Sequence, residues 1–402
     1  MPVRAHPPVL YFEYGDCHTL RLPNGRTGLS HGCGRFRIGR IVDGSGGTRR
    51  FSGPPPHPWT LEDEDGPAPF ADRAAIEAAL LRLSRLCGGR LEADYRHIAS
   101  LRGRRGEIFT ETTRRADRWS LTGRAFTAGG RPVPIGWSGS GSGRFDLTGE
   151  GRQEEFARML AAVDRAAAVE PGAGPVVLRP QPAAVLFHES IGHFAEAAPS
   201  PGIDLRHRLG VRLAAEGFRA IDDPLAEGGP ARFEVDDEGV RSMGPTEIVR
   251  DGILVAQLHS RSTAARAGTL PTANGRMADA WSPALPRLSN LLCPTGSATE
   301  EELIETLGDG LCIHQVSHGY GQGAAIEARI VLAEKVASGR RTGAFVTGGR
   351  VAGPVDLLVR LQGLGRERVF NANAMCGKSG QILFDVGTAA PAMSLSGLEV
   401  RP

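Results

Sequence analysis

Long apolar runs are missing from this 402-residue chain, which excludes any helix able to span a bilayer. The opening residues, Met1-Pro2-Val3-Arg4-Ala5-His6, lack the apolar core of a secretory signal, so a cytoplasmic location is expected. Cysteine is scarce too. Six residues over this length cannot frame a disulfide scaffold and are expected to serve as buried thiols or metal ligands. Neither sign of charge is in excess: 47 basic and 45 acidic residues leave a net charge of +2, mixed along the chain, and nothing resembles a nucleic-acid-binding stripe. No repeat of solenoid period is visible. What is present is ordinary globular composition, 41% hydrophobic and 23% charged, which excludes disorder of the whole chain. The length exceeds what one core usually organises, so two domains are expected.

Short β-prone runs open the chain at Val9-Leu10-Tyr11-Phe12-Glu13 and Arg35 to Ile41. A Pro-, Gly- and acid-rich stretch over residues 53–69 reads as an exposed connection. With Asp72 as N-cap, Ile76, Leu80, Leu83 and Cys87 recur at helical spacing, and Arg118 to Thr122 alternates as a strand. The Gly-Trp-Ser-Gly-Ser-Gly-Ser-Gly run at 136–143 lacks the Lys-Ser/Thr of a phosphate loop and reads as a flexible connector. A second amphipathic helix is expected from Glu154 to Ala168, and Pro171 to Pro175 marks the boundary between domains at 1–170 and 175–402. Beyond it strands dominate, with a hairpin at Arg250-Asp251-Gly252, a strand-like run at Phe233-Glu234-Val235, and a capping box at Thr299 to Glu302 ahead of a single helix.

The chemistry concentrates at His188-Glu189-Ser190-Ile191-Gly192-His193, preceded by the apolar Ala183 to Phe187. His-Glu-x-x-x-His is one residue longer than the familiar zinc-peptidase spacing. At about 100° per residue, positions i and i+4 lie about 40° apart around a helix, whereas i and i+5 lie about 140° apart and cannot share a metal. A π-bulge absorbing one residue would bring the imidazoles together, and Gly192 suits such a distortion. Glu189 then falls beside the metal without ligating it, as a general base must. A catalytic zinc takes three protein ligands, and the residues leave the third open between Cys376, in the Gly-flanked run Met375-Cys376-Gly377-Lys378-Ser379-Gly380, and Glu196.

The chain here resembles the TldD/PmbA family of metallopeptidases, in its metal-binding TldD-like branch. The resemblance rests on His188 to His193 with Glu196, and on the order of Asp236-Asp237-Glu238-Gly239, Arg250 to Leu254, Thr272 to Arg276, Pro286 to Asn290 and Cys376 to Gln381. It implies zinc held by His188, His193 and Cys376, Glu189 as base, and Glu196 in the surrounding shell. It implies an α+β protein, with an N-terminal α/β domain and a C-terminal β-rich, barrel-like catalytic domain carrying the motif helix. It implies a dimer, either of identical chains or with a metal-free PmbA-like (TldE) chain. Peptide substrates that are unfolded or modified, including natural-product precursors and an antitoxin, are the family's expected targets. Asn274, Arg276, Arg287 and Asn290 are the polar residues expected near an enclosed substrate chamber. The N-terminal third departs most from the family, being abbreviated.

Other readings compete. Cys17, His18, His31 and Cys33 are zinc-compatible and could meet across a hairpin, though their spacing fits no known module. A nucleoside deaminase would need a Pro-Cys-x-x-Cys half, which is lacking, and Gly139-Ser140-Gly141 and Gly141-Ser142-Gly143 do not meet the strand-to-helix Gly-x-Ser-x-Gly elbow of a serine hydrolase. A metal-dependent amidase acting on a small natural-product intermediate, or a catalytically silent dimer partner, remains the alternative to a peptidase.

Overall fold

A computed structural model describes residues 9–24, 29–42, 48–53, 73–106, 110–140, 151–197, 209–322 and 325–402. The connection at 54–69, the Asp72 cap and residues 141–143 of the Gly/Ser run lie outside these. Among the described residues no helix is long and apolar enough to cross a membrane.

The first part is a six-stranded antiparallel sheet of Val9–Leu22 (β1), Ser30–Val42 (β2), Thr48–Ser52 (β3), Leu91–Arg105 (β4), Thr110–Phe126 (β5) and Pro132–Ser140 (β6), in the order β3-β2-β1-β4-β5-β6. Helices Arg73–Leu86 (α1) and Arg152–Arg165 (α2) bury Ile76, Leu80, Leu83, Phe156, Leu160 and Val163 in one cluster with Leu20, Tyr95, Leu121 and Trp137 of the sheet. The apolar spacing read from sequence is thus the buried face of each helix. Three readings change. The second helix stops at Arg165, with Ala167–Ala168 pairing as a strand. Residues 136–140 are not a loose connector but the end of β6, because Trp137 is drawn into the core while Gly139 leaves room for the Trp119 ring. Phe233 to Val235 forms no strand beyond a single bridge from Val235 to Arg241.

The second part is built on a closed five-stranded barrel. Gly172–Leu178 (β7) runs parallel to Gly310–Gln322 (β8), which pairs with Ala325–Ala337 (β9); β9 pairs with Arg350–Pro354 (β10), β10 with Met393–Arg401 (β11), and β11 with β7. Closure removes the free strand edges of this ring. Val176, Leu178, Ile313, Val316, Ile326, Ile330, Val351 and Leu395 pack with Ala183, Leu186, Phe187 and Ile191 of the motif helix. Val331 and Leu332 of β9 face the other way, into the core beneath α1 and α2. A second sheet, of strands three to five residues long and two-residue strands at its ends, brings Asn290–Leu292 parallel to Gly387–Ala390 beside the site.

Buried charge stitches the first sheet to the loops of the second part. Glu13 and Arg102, each 1% exposed, lie 3.1 Å apart; Arg118 donates to Glu13 at 2.7 Å, and Arg102 reaches Asp237 at 3.3 Å and the Met277 carbonyl at 2.6 Å. Burial raises the Glu13 carboxyl, but Arg102 and Arg118 outweigh it and hold the pKa below the usual range.

Candidate metal centre

Strand β7 turns at Arg179 into a helical segment that starts on Pro180, where a missing N–H costs nothing. Pro180–Phe187 (α3) is α-helical, His188–Gly192 is a π-turn, and His193–Ala195 closes the segment. The His193 N–H donates to the His188 carbonyl, five residues back. The wider turn expected from the spacing is therefore present, and it brings the two rings together edge to face, with centroids 4.7 Å apart. The reason for Gly192 differs from the expected one. Its φ of −58° is open to any residue, but a Cβ there would lie 2.6 Å from Leu288 Cδ1 and 3.2 Å from Leu291 Cδ2. Packing, not backbone freedom, demands glycine.

Cys376 arrives on a strap after residue 370 and begins a short hairpin with Gln381–Leu383. Its Sγ stands 3.1 Å from His188 Nε2 and 3.5 Å from His193 Nε2, and among the described residues this trio is the one group of His, Cys, Asp or Glu whose ligand atoms converge, all within 4.8 Å. The outer nitrogens are held as well. His188 Nδ1 meets Thr388 Oγ1 at 2.9 Å, and His193 Nδ1 meets Glu196 Oε2 at 2.8 Å. Such contacts fix ring orientation and tautomer, leaving both Nε2 atoms facing the sulfur. Glu196 is thus turned to the far side of His193, where it also takes Lys378 and the Leu288 N–H.

The electrostatics centre on sulfur. Burial raises the Cys376 thiol, but His193, His188 and Arg287 hold it well below its ordinary range. Burial likewise raises Glu196, yet Lys378, His193 and Arg287 keep it ionised. Burial lowers His193, and Cys376 with Glu196 drives it well above the free imidazole value. A buried sulfur kept as thiolate is the form that binds a cation.

The trio and Glu189 line one cavity of about 810 Å³, walled also by Gln181, Ser317 to Gly321, Asn371, Asn373, Met375 and Lys378. Among the described residues none hydrogen-bonds to or ion-pairs with the Glu189 carboxylate, which rests against β8 where a Cβ on Gly319 would lie 2.6 Å from Glu189 Cγ. Gly319→Ala should therefore displace Glu189 while leaving the ligands alone. Were Glu189 the base that the sequence leads one to expect, peptide-cleavage kinetics would show a loss of about 10²-fold, the effect of misplacing a catalytic group, with metal content unchanged.

The remaining sequence candidates sit elsewhere. Asn274, Arg276, Arg287 and Asn290 are all at most 2% exposed and do not reach the cavity wall. Asn274 bonds Asp222 and the Arg287 carbonyl, Arg276 grips Asp385, Arg287 reaches the Cys376 carbonyl, and Asn290 bonds the backbone of Asp223 and Ala231. All four are buried and bonded to neighbouring loops behind the cavity wall, and none of them lines the cavity where they were expected. In the first sheet His18 faces Cys33 across the β1–β2 pair, with Nε2 3.8 Å from the sulfur and Nδ1 3.4 Å from His31, so its two nitrogens point to different partners. Cys17 projects to the other face, 3.4 Å from Arg96. Thr388, Lys378 and Gly319 carry parts of the site that sequence reasoning assigned no role. Only the Gly319-x-Gly321 alternation within a strand, a mark of close approach, could have signalled one of them.

A helix and a distant strap present two imidazoles and a thiolate to one point, beside a carboxylate that no other described residue engages, an arrangement with the donors to hold a metal on a barrel scaffold. Comparison with known proteins agrees: the model of the PmbA/TldA metallopeptidase C-terminal domain matches residues 171–401, and the chain belongs to that family. Metalloprotease MJ0996 of Methanocaldococcus jannaschii is 33% identical over 215 residues, 51% of this chain and 46% of that protein. A zinc metalloprotease TldD homolog of Saccharolobus solfataricus is 32% identical over 141 residues, 35% of this chain and 31% of that one. The match thus spans about half the length of the first of these relatives and less of the second. TldE from Thermococcus kodakarensis shares the fold, with a TM-score of 0.69 at 13% identity over 98% of this chain and 97% of that one.

Proposed function

We propose that this chain is a zinc peptidase that hydrolyses unfolded or modified peptides, with His188, His193 and Cys376 as ligands and Glu189 as general base. The observation that carries the reading is the spacing of the donors. An imidazole nitrogen at about 2.0–2.1 Å and a thiolate at about 2.3 Å from a shared ion stand roughly 3.5–3.6 Å apart; of the N···S separations here, 3.5 Å matches that span and 3.1 Å falls short of it by about 0.4 Å, a small outward shift of the sulfur. The donor set therefore fits zinc. When bound, that ion supplies Lewis acidity that activates water and polarises the carbonyl under attack.

The chain's own residues do the rest. Thr388 and Glu196 keep each ring turned to its outer partner. Glu189 faces the cavity with its carboxylate engaged by none of the other described residues, free to accept a proton from the attacking water and return it to the leaving amine. A cavity of about 810 Å³ accommodates several residues of an extended peptide. The likeness to a TldE fold supports assembly as a dimer, with itself or with a TldE-like chain. The family match from residue 171 supports the proposed division into 1–170 and 175–402.

Metal analysis of the purified chain beside His188→Ala and Cys376→Ala, with peptide-library cleavage by the same samples, tests the reading. The parent is expected to hold near-stoichiometric zinc and lose cleavage to a chelator, recovering it with added zinc; both variants should lose metal and cleavage together. Full zinc and cleavage in Cys376→Ala would overturn the ligand set.

A further inference from the structure

Cys376 lies 183 residues after His193, so something must hold the two arms of the centre at a fixed separation. Arg287 spans that gap. Its side chain is fully buried; one Nη donates to the Cys376 carbonyl at 2.7 Å, and Nε stands 3.5 Å from the Glu196 carboxylate that orients His193. The next residue repeats the contact, since the Leu288 N–H donates to the same Glu196 oxygen at 3.0 Å.

The platform beneath Arg287 is itself locked. Its N–H donates to the Asn274 carbonyl at 2.9 Å, and Asn274 Nδ2 returns to the Arg287 carbonyl at 3.0 Å while also reaching Asp222 at 2.8 Å. A planar guanidinium can meet two acceptors in fixed directions, whereas an ammonium offers one compact charge. Resting on the zinc reading above, we propose that Arg287 is a positioning residue of the metal centre, fixing the Cys376 strap against the His193–Glu196 pair. It touches neither substrate nor ion. Its loss would leave the buried Cys376 carbonyl short of a donor, take a neighbouring positive charge from the Glu196 carboxylate, and let the sulfur drift from the imidazoles.

Cobalt(II) substitution gives a readout independent of catalysis, because a thiolate-to-cobalt charge-transfer band reports the Cys376–metal bond. In Arg287→Met, zinc affinity measured against a chromophoric chelator should fall about 10–100-fold, the range for lost outer-shell partners, and the thiolate band should weaken. Arg287→Lys, which keeps the buried charge without the fork, should fall between it and the parent, and it carries the test where Arg287→Met does not fold. A folded Arg287 variant with the parent's zinc affinity and thiolate band overturns the assignment. A parent with no Cys376-dependent band overturns the zinc reading and this one with it, so the two failures look different.

Discussion

Glu189→Gln is expected to lower peptide cleavage roughly 10²–10⁴-fold while zinc content stays that of the parent. The amide keeps the shape of the side chain, so the close packing against Gly319 survives. What it loses is the ability to accept a proton. His188, His193 and Cys376 are untouched, which separates this variant from any ligand replacement, where metal and activity fall together. Parallel metal analysis and steady-state kinetics check it. Cleavage at the parent's rate would remove Glu189 from the chemistry and leave the cavity without an assigned base.

Arg102→Met should destabilise the fold by about 3–5 kcal/mol in denaturant unfolding at neutral pH, the usual cost of stranding a buried charge. Glu13 and the Ala278 carbonyl would keep Arg118, and Asp237 the Met277 N–H, but Asp237 would lose the Arg102 charge and the Met277 carbonyl its Arg102 donor inside a buried interface. The sign of the pH dependence follows from Glu13. Its folded pKa is depressed, so its contribution is fully present above the ordinary carboxylate value and is lost as pH falls through the folded one. Stability of the parent should therefore decline below about pH 4–5. Glu13→Gln, though less stable throughout, should show a shallower decline.

The centre was legible where chemistry is local. Two histidines and a glutamate within six residues announce themselves, and their spacing rules out a regular helix on geometry alone, so the π-turn could be foreseen. Cys376 stood out by its flanking glycines. Thr388 did not, because nothing about a threonine between Gly387 and Ala389 reveals that a parallel pairing with Asn290–Leu292 aims it at His188. The four polar residues expected at the chamber show the same limit. Asn274 and Arg287 look solvent-facing in a turn-rich sequence, and only tertiary contacts show that their donors serve Asp222 and Cys376.

Fold followed a similar divide. The amphipathic spacing of α1 and α2 predicted their buried faces, and Asp-Gly predicted the hairpin at 251–252. The strands of the second sheet, five residues at most, are too short for any period to emerge. Nor could alternation in Gly172–Leu178 name its partners, which lie more than a hundred residues downstream.

That distance between partners has a bearing on how the protein is made. A growing chain exposes both imidazoles and Glu189 long before Cys376 emerges, and the ring stays open until Met393–Arg401 zips against β7 and β10. Throughout that interval the sulfur that completes the trio is missing, so on the proposed reading the precursor cannot grip its ion until the strands that close the barrel are themselves emerging.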